Sequence, residues 1–193
     1  MNIAVAKTAE GPSRRAFNVG DVRRMIDIGV LHEDEKFELI GGDIVMMAAK
    51  GYAHELIKNA LTLAIARALP EASTLAVENS FQLSDDVLVE PDLAILSRAD
   101  FRPGPENFTK PPEVQLVIEV AVSSLSYDRG LKARIYAHHR VREFWVIDAN
   151  ERIAWIHTGP SGDGWTSVVE LGPKEALTTP MLPGFSIRLG EIE

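Results

Sequence analysis

The protein has 193 residues, of which 46% are hydrophobic and 25% are charged, and it contains no cysteine. This length fits one domain with a substantial core, and the lack of cysteine excludes disulfides, thiolate metal sites and cysteine nucleophiles. The formal net charge of -8 argues against a surface that binds nucleic acid over its whole area, but it leaves room for a local basic site.

The sequence predicts neither a membrane span nor a secretory signal. No apolar run approaches the roughly 20 residues that a spanning helix needs, and the basic pair near the N-terminus follows only a few apolar residues. We therefore expect a cytoplasmic protein without a membrane partner, in which residues 1–16 are a flexible lead-in and residues 17–193 are one domain.

The first elements in chain order are a helix and a hairpin. Asn18 is a helix cap before VGDVRRMID, whose apolar residues recur at helical spacing until Gly29. Next, Gly41 and Gly42 separate the short apolar runs FELI and DIVMM, which is typical of a two-residue hairpin.

A second helix is predicted over residues 52–69. Its apolar stripe consists of Leu56, Ala60, Leu63 and Ala64, with Ile57 and Leu61 beside it. The helix ends before Pro70, which cannot continue it.

The remaining chain predicts strands around one more helix. Three strands are expected at STLAVENSFQL, VLVEPDLAIL and VQLVIEVAV, with a proline-rich loop (97–113) between the last two. A helix capped by Ser124 or Ser126 fits SYDRGLKARIYAHHR, and further strands fit FWVID, ERIAWIHT (after a turn at Asn150), GWTSVVEL and FSIRL. This order predicts a mixed α/β (α+β) fold in which helices flank a central mixed sheet, with a helix and hairpin in front and extra strands at the C-terminus.

Two carboxylates lie inside apolar runs that should be buried. Asp92 interrupts VLVEPDLAIL and Glu119 interrupts LVIEVAVSS. A buried carboxylate is costly unless it is paired, hydrogen-bonded or bound to a cation. If the two strands are adjacent, both side chains can converge on a cation such as Mg²⁺, although structural ion pairs also occupy such positions.

The predicted helix after Glu119 carries a polar stripe and a basic surface. Asp128, Lys132 and Tyr136 recur every four residues, so they share one face. This pattern fits either a surface ion pair or a lysine placed over the end of the Glu119 strand, where it could stabilise a developing anion. Arg129 and Arg134 belong to a segment without acidic residues that could contact nucleic acid.

Three residues earlier in the chain are further candidates for the same site. Glu38 interrupts the apolar hairpin, and His54 and Glu55 open the second helix, where a histidine is more often a cap or a surface residue than a ligand.

Four segments, taken in order, resemble the Uma-two family of bacterial proteins, which are described as restriction endonucleases of the PD-(D/E)XK nuclease superfamily. The segments are FELIGGDIV, VEPDLAIL, VIEVAVSSLSYDRGLKARIYAHHRVREFWVID and LPGFSI. The resemblance runs from about Phe17 to the C-terminus and implies a restriction-endonuclease-like core with a metal-dependent phosphodiesterase site.

Within that resemblance, Asp92 and Glu119 match the metal-binding acidic residues, and Glu38 matches the hairpin glutamate. The motif lysine would fall at position 121, where this chain has alanine, and Lys132 on the following helix matches its substitute.

Two classes of function follow from these observations. The first is an endonuclease that uses Mg²⁺ or Mn²⁺, with nucleic acid, DNA first, as its substrate and a homodimer as one arrangement for cutting duplex DNA. The alternative is a catalytically inactive module that keeps the nuclease fold to bind nucleic acid or protein, which the acidic net charge and Ala121 favour.

Overall fold

The computed structural model of the protein describes residues 15–32, 34–47, 49–99 and 114–193. Most of the expected lead-in and most of the proline-rich loop lie outside these residues.

The helices begin and end close to their predicted positions. In the first of them, the Asn18 side chain accepts a hydrogen bond from the backbone N–H of Asp21, and the Asp21 side chain accepts one from the N–H of Asn18. The third predicted helix is a composite of two α-helical pieces joined by a π-helical turn, and we call residues 125–138 the composite helix. The helical elements are α1 (Val19–Asp27), α2 (Tyr52–Ala68), α3 (Leu125–Tyr127), the π turn (Asp128–Lys132), α4 (Ala133–His138) and a 3-10 turn (Leu189–Glu191).

Ten strands form two sheets among the described residues. They are β1 (Phe37–Ile40), β2 (Asp43–Met46), β3 (Ser73–Val77), β4 (Phe81–Ser84), β5 (Val87–Val89), β6 (Leu93–Ser97), β7 (Val114–Ala121), β8 (Glu143–Asp148), β9 (Ile153–Ser161) and β10 (Gly164–Leu171). The central sheet has the order β10-β9-β8-β7-β6-β3, and the small sheet has the order β2-β1-β5-β4. Only the β7–β8 pair of the central sheet is parallel, because the composite helix connects these two strands.

Two of the predicted strands are wrong as single strands, because each one divides between the two sheets. Residues 73–97 form one long antiparallel hairpin, which we call the bent hairpin; its inner half (β3 and β6) belongs to the central sheet and its outer half (β4 and β5) to the small sheet. The bend lies where Glu78 and Asp92 face each other, joined by a hydrogen bond from the Glu78 N–H to the Asp92 carbonyl. Pro91 has no backbone N–H that could donate to a neighbouring strand. The chain can therefore pass from one sheet to the other at this residue without leaving a backbone donor unpaired.

Helices cover both faces of the central sheet. On one face α2 contributes Ile57, Leu61 and Ile65, each 0% exposed, to a core shared with β6, β7 and β8. The buried side of α2 therefore runs along Ile57 and Leu61, which lie beside the predicted stripe, while Leu63 within that stripe is 54% exposed. Nearly every turn of this helix offers apolar residues on several sides, so periodicity does not fix which side is buried.

The opposite face of the central sheet packs against the composite helix and the small sheet. Ala133, Ile135 and Tyr136 share a core there with residues of β6, β7 and β8. Because side chains alternate along a strand, every second residue of β7, including Val117, points to this face.

The C-terminal part contains less strand than predicted. β9 and β10 are each predicted as strands, and they form a long antiparallel hairpin. FSIRL forms only one isolated bridge, between Leu177 and Ile187, because its apolar residues pack individually onto the core beside α2 instead of extending the sheet.

The mixed α/β fold class with a central mixed sheet is confirmed. Among the helices of the described ranges, none has the length and apolar character to cross a membrane.

One prediction concerns the β1–β2 hairpin, which positions Glu38. Gly42 has a φ of 88°, and a Cβ at this position would lie 2.7 Å from the Cβ of Ala16. Gly42→Ala should lower the free energy of unfolding by more than the roughly 1–2 kcal/mol that left-handed backbone alone costs. Gly162 has a φ of 59° but open space around it, so Gly162→Ala isolates the backbone cost. Equal losses for both variants in urea unfolding would contradict the proposed close packing.

Candidate active site

The site is built around Asp92 and Glu119, which lie side by side on neighbouring strands. The β6–β7 register pairs Leu93 with Ile118, so its continuation sets Asp92 opposite Glu119. Because side chains alternate along a strand, Glu119 points to the same face of the sheet as Val117, and so does Asp92 opposite it. Both side chains therefore face the composite helix. Asp92 is fixed by the backbone N–H of Val120, which donates to its Oδ2 at 2.8 Å. Each of the two carboxylates is on a residue only 4% exposed, as the apolar context predicted.

Glu119 receives two donors from the composite helix. The Nζ of Lys132 and the hydroxyl of Tyr136 donate to Glu119 Oε1 at 2.9 Å and 2.8 Å. The same Lys132 Nζ lies 3.0 Å from Glu38 Oε1. Lys132 is therefore buried over the Glu119 strand and is not part of a surface ion pair. This is the placement expected for a lysine that takes the place of the motif lysine missing at position 121.

Glu38 links the small sheet to the site. Its residue is 2% exposed, and its Oε1 accepts the backbone N–H of Glu90 at 2.9 Å. This bond fixes β1 to the bend of the hairpin, one residue before Pro91. The hairpin glutamate therefore joins the central carboxylates through Lys132.

Asp92 is also capped by cationic and histidine side chains from the α2 region. His54 Nε2 lies 3.0 Å from the Asp92 carboxylate, and Lys50 Nζ donates to Asp92 Oδ1 at 2.8 Å. His54 thus reaches the centre of the site, although a histidine at the start of a helix is more often a cap or a surface residue. Lys50 was missed by sequence reasoning because it lies in a short connection without an apolar pattern.

Two further candidates support the site from its margins. Asp128 is 3% exposed and accepts a hydrogen bond from the Ser124 hydroxyl at 2.6 Å. Ser124 is the N-cap residue of α3, but its hydroxyl bonds the Asp128 side chain and not a backbone N–H of the helix. The Glu55 side chain is 40% exposed; it lies 3.2 Å from His54 Nδ1 and accepts a hydrogen bond from Lys58. Asp128 therefore belongs to the inner group, and Glu55 supports the His54 ring from outside.

The two arginine candidates lie away from the carboxylates. Arg129 and Arg134 are exposed, and the Arg129 guanidinium lies 3.9 Å from the ring centroid of Trp155. Neither lines the cavity described below, so any contact they make with nucleic acid would lie outside that cavity.

A cavity of about 300 Å³ opens over these groups. Its polar lining consists of four acidic residues, two lysines, one histidine and the hydroxyl-bearing residues of one short segment: Glu38, Asp92, Glu119, Asp128, Lys50, Lys132, His54, Ser123, Ser124 and Tyr127. Tyr136 and Glu55 lie outside this lining.

The ionisation of the two central carboxyls differs because their partners differ. Burial raises the pKa of Glu119 to about 8, since the attraction of Lys132 is opposed by the nearby carboxylates of Asp128, Asp92 and Glu38. Burial also acts on Asp92, but its hydrogen bond with His54 and the attraction of His54 and Lys50 outweigh burial and lower its pKa to about 2. The inner group is therefore richer in carboxylates than in cations.

The ammonium of Lys132 stays charged in this setting. Burial favours the neutral amine, but Glu119, Glu38 and Asp128 outweigh burial and hold the pKa of Lys132 well above its ordinary value. A lysine with such a pKa acts as a fixed positive charge and not as a base.

The donor set fits a hard divalent cation held by few protein ligands. No group of three or more histidine, cysteine, aspartate or glutamate residues in the described ranges is arranged to hold a metal ion. Mg²⁺ does not require such a group, because it commonly binds one or two carboxylates and keeps several waters. Burial, together with the nearby carboxylates of Asp128, Asp92 and Glu38, raises the pKa of Glu119, and a cation beside Asp92 and Glu119 would favour the ionised carboxylate.

The pH dependence of stability tests the Glu119 environment. Its carboxyl ordinarily titrates near 4.5 and in the folded protein near 8, so between these values the folded state holds a proton that the unfolded state releases. The free energy of unfolding should therefore fall as pH rises through this window, by up to about 1.4 kcal/mol per pH unit from this group.

Urea unfolding from pH 5 to pH 8 in a chelator measures this slope. Glu119→Gln should flatten it, whereas Glu151→Gln, at an exposed position, should leave it unchanged. A Glu119→Gln slope equal to that of the wild type would show that Glu119 titrates normally.

Comparisons with known proteins bear on the whole chain. The family model Uma2, described as "Putative restriction endonuclease", matches residues 21–190. No curated protein matches the chain.

Among solved structures, the chain is similar to one described as "a putative nuclease belonging to DUF820" from Anabaena variabilis ATCC 29413. The TM-score is 0.69 at 13% identity, and the alignment covers 86% of this chain and 94% of that chain. At this identity the likeness shows the fold. The family match extends from α1 to the final 3-10 turn, and the chain belongs to the Uma2 family.

Proposed function

We propose that this protein is an endonuclease that requires Mg²⁺ or Mn²⁺ and hydrolyses phosphodiester bonds in nucleic acid, with DNA as the first substrate to test. The observation that carries the proposal is the buried pair Asp92 and Glu119, set side by side at the floor of a cavity and combined with Lys132. Membership of the Uma2 family supports the same class of activity.

Asp92 and Glu119 are the residues that would hold the cation. A divalent cation in this position supplies a Lewis acid that polarises the phosphate and lowers the pKa of a bound water. The Val120 N–H keeps the Asp92 carboxylate oriented, and the Tyr136 hydroxyl does the same for Glu119. Both supports come from rigid elements, so the carboxylates are preorganised.

Lys132 supplies a permanent positive charge beside the carboxylates. Because it stays protonated, its role is to stabilise the negative charge that develops on the phosphorus-bound oxygens in the transition state, not to remove a proton from water. Glu38 holds the ammonium in place from the side of the small sheet.

One observation favours the alternative of an inactive module that binds nucleic acid or protein. Lys50, His54 and the Val120 N–H together engage both oxygens of Asp92, as internal partners would in a purely structural site. Such a module would not need to bind Mg²⁺, so metal-dependent cleavage separates the two functions.

The direct test is cleavage of plasmid, single-stranded and structured DNA by purified protein with Mg²⁺ or Mn²⁺. Asp92→Asn should reduce the cleavage rate by at least about 100-fold, because it weakens both cation binding and its electrostatic effect. Asp163→Asn is the matched control, since this aspartate lies in the β9–β10 connection and contacts His138, away from the cavity. Metal-independent cleavage, or equal rates for Asp92→Asn and wild type, would contradict the proposal.

A second prediction concerns the exposed basic residues of the composite helix. Arg134→Gln should weaken DNA binding to a similar extent for all sequences and reduce the slope of log affinity against log salt by about 1, as the loss of one phosphate contact would. Fluorescence anisotropy in a chelator measures both effects without cleavage. Arg67→Gln, at an exposed position near the end of α2, is the control, and an equal effect of the two variants would remove Arg134 from the interface.

A further inference from the structure

The ammonium of Lys50 lies between two carboxylates that face each other across the bend of the hairpin. Its Nζ is 2.8 Å from Asp92 Oδ1 and 2.7 Å from Glu78 Oε1. The Lys50 side chain is 20% exposed, whereas that of Asp92 is 5% exposed. Lys50 therefore joins a carboxylate of the inner site to one nearer the surface.

The three donors to Asp92 differ in their freedom to move. The Val120 N–H belongs to β7 itself, which pairs with β8, and it cannot leave without breaking the sheet. His54 is buried on α2, with its side chain 7% exposed. Lys50 lies before α2 in the connection from β2, and its long side chain reaches solvent. Lys50 is the donor that can withdraw at the lowest cost.

Glu78 gives Lys50 a second partner that is already in place. Its carboxylate also accepts a hydrogen bond from Lys58 and lies 3.8 Å from the Nζ of Lys36. A Lys50 that leaves Asp92 would keep its ion pair with Glu78, so no charge would be left unpaired.

We propose that Lys50 competes with the divalent cation for Asp92 and turns wholly to Glu78 when the cation binds. This inference rests on the proposed function, because it assumes a cation held by Asp92 and Glu119. Two positive charges cannot share one carboxylate oxygen at these distances without strong repulsion. Lys50 therefore sets the metal concentration at which the site fills, and Glu78 makes the exchange reversible.

Calorimetric titration with Mn²⁺ alone tests the competition without any nucleic acid. Lys50→Gln should bind Mn²⁺ about tenfold more tightly or better, because a positive charge within a few ångströms of the cation is removed. Lys36→Gln is the matched control: Lys36 also neighbours Glu78, but its side chain is 50% exposed and its closest partner is Glu90, at 2.6 Å. Its Mn²⁺ affinity should equal that of the wild type.

Glu78→Gln provides an opposite expectation, which does not depend on the Lys50 variant. Without the second carboxylate, Lys50 should hold Asp92 more firmly, and the Mn²⁺ affinity should fall. In the double variant Lys50→Gln/Glu78→Gln this loss of Mn²⁺ affinity should disappear, because no lysine remains at position 50 to hold Asp92. The increase in melting temperature on adding Mn²⁺ should follow the same order as the affinities.

The outcomes separate this inference from the function on which it rests. Mn²⁺ binding of equal or lower affinity in Lys50→Gln overturns the competition but leaves the metal site intact. A Glu78→Gln effect that persists in the double variant also overturns it. If neither the wild type nor Lys50→Gln binds Mn²⁺, and Asp92→Asn changes nothing, the metal site itself fails and the inference fails with it.

Discussion

The arrangement of the site depends on one constraint, which is that Glu119 cannot be buried without partners. Its strand is covered on both faces and the residue is only 4% exposed, so the polar groups of its carboxyl need protein partners. Lys132 and Tyr136 provide the hydrogen bonds, and because both belong to the composite helix, Glu119 also fixes where that helix packs. The π turn ends at Lys132, so the helix departs from regular geometry at the residue that must reach both Glu119 and Glu38.

A second constraint comes from the path of the bent hairpin. Because it passes from the central sheet to the small sheet at Glu78 and Asp92, it presents two carboxylates at one bend and brings the small sheet with Glu38 to the same cavity. Carboxylates therefore converge from three directions. Lys50, Lys58 and Lys132 balance them in part, and the carboxylates near Glu119 add to the effect of burial, which raises its pKa.

The sequence predicts the centre of this site better than its edges. Asp92, Glu119 and Glu38 stand out because each one interrupts an apolar run, and such runs indicate burial. Helical spacing puts Lys132 on one face with Asp128 and Tyr136 but also fits a surface ion pair, and the family resemblance is what assigns Lys132 to the site. The π turn that shapes its segment has no evident signal. Lys50 and Glu78 lie in polar connections, and their pairing depends on a bend that strand patterns do not encode.

The fold shows the same division between local and long-range information. The α1 cap and the Gly41–Gly42 turn follow from local chemistry, and the structure has both. The division of two long apolar runs between two sheets does not follow from local chemistry, because both halves of each run are buried and both have the composition of a strand. Pro91 is the one local sign of the break in the second run, and it became interpretable only with the two sheets in view.

Anomalous diffraction at the manganese edge, from a crystal of the protein grown or soaked with Mn²⁺, tests most directly whether Asp92 and Glu119 together hold a divalent cation. We expect one anomalous peak within about 2.2 Å of carboxylate oxygens of both Asp92 and Glu119, a distance typical of hard cations with oxygen ligands. A fully soaked crystal with no peak between these side chains, or with its peak elsewhere, would contradict the account.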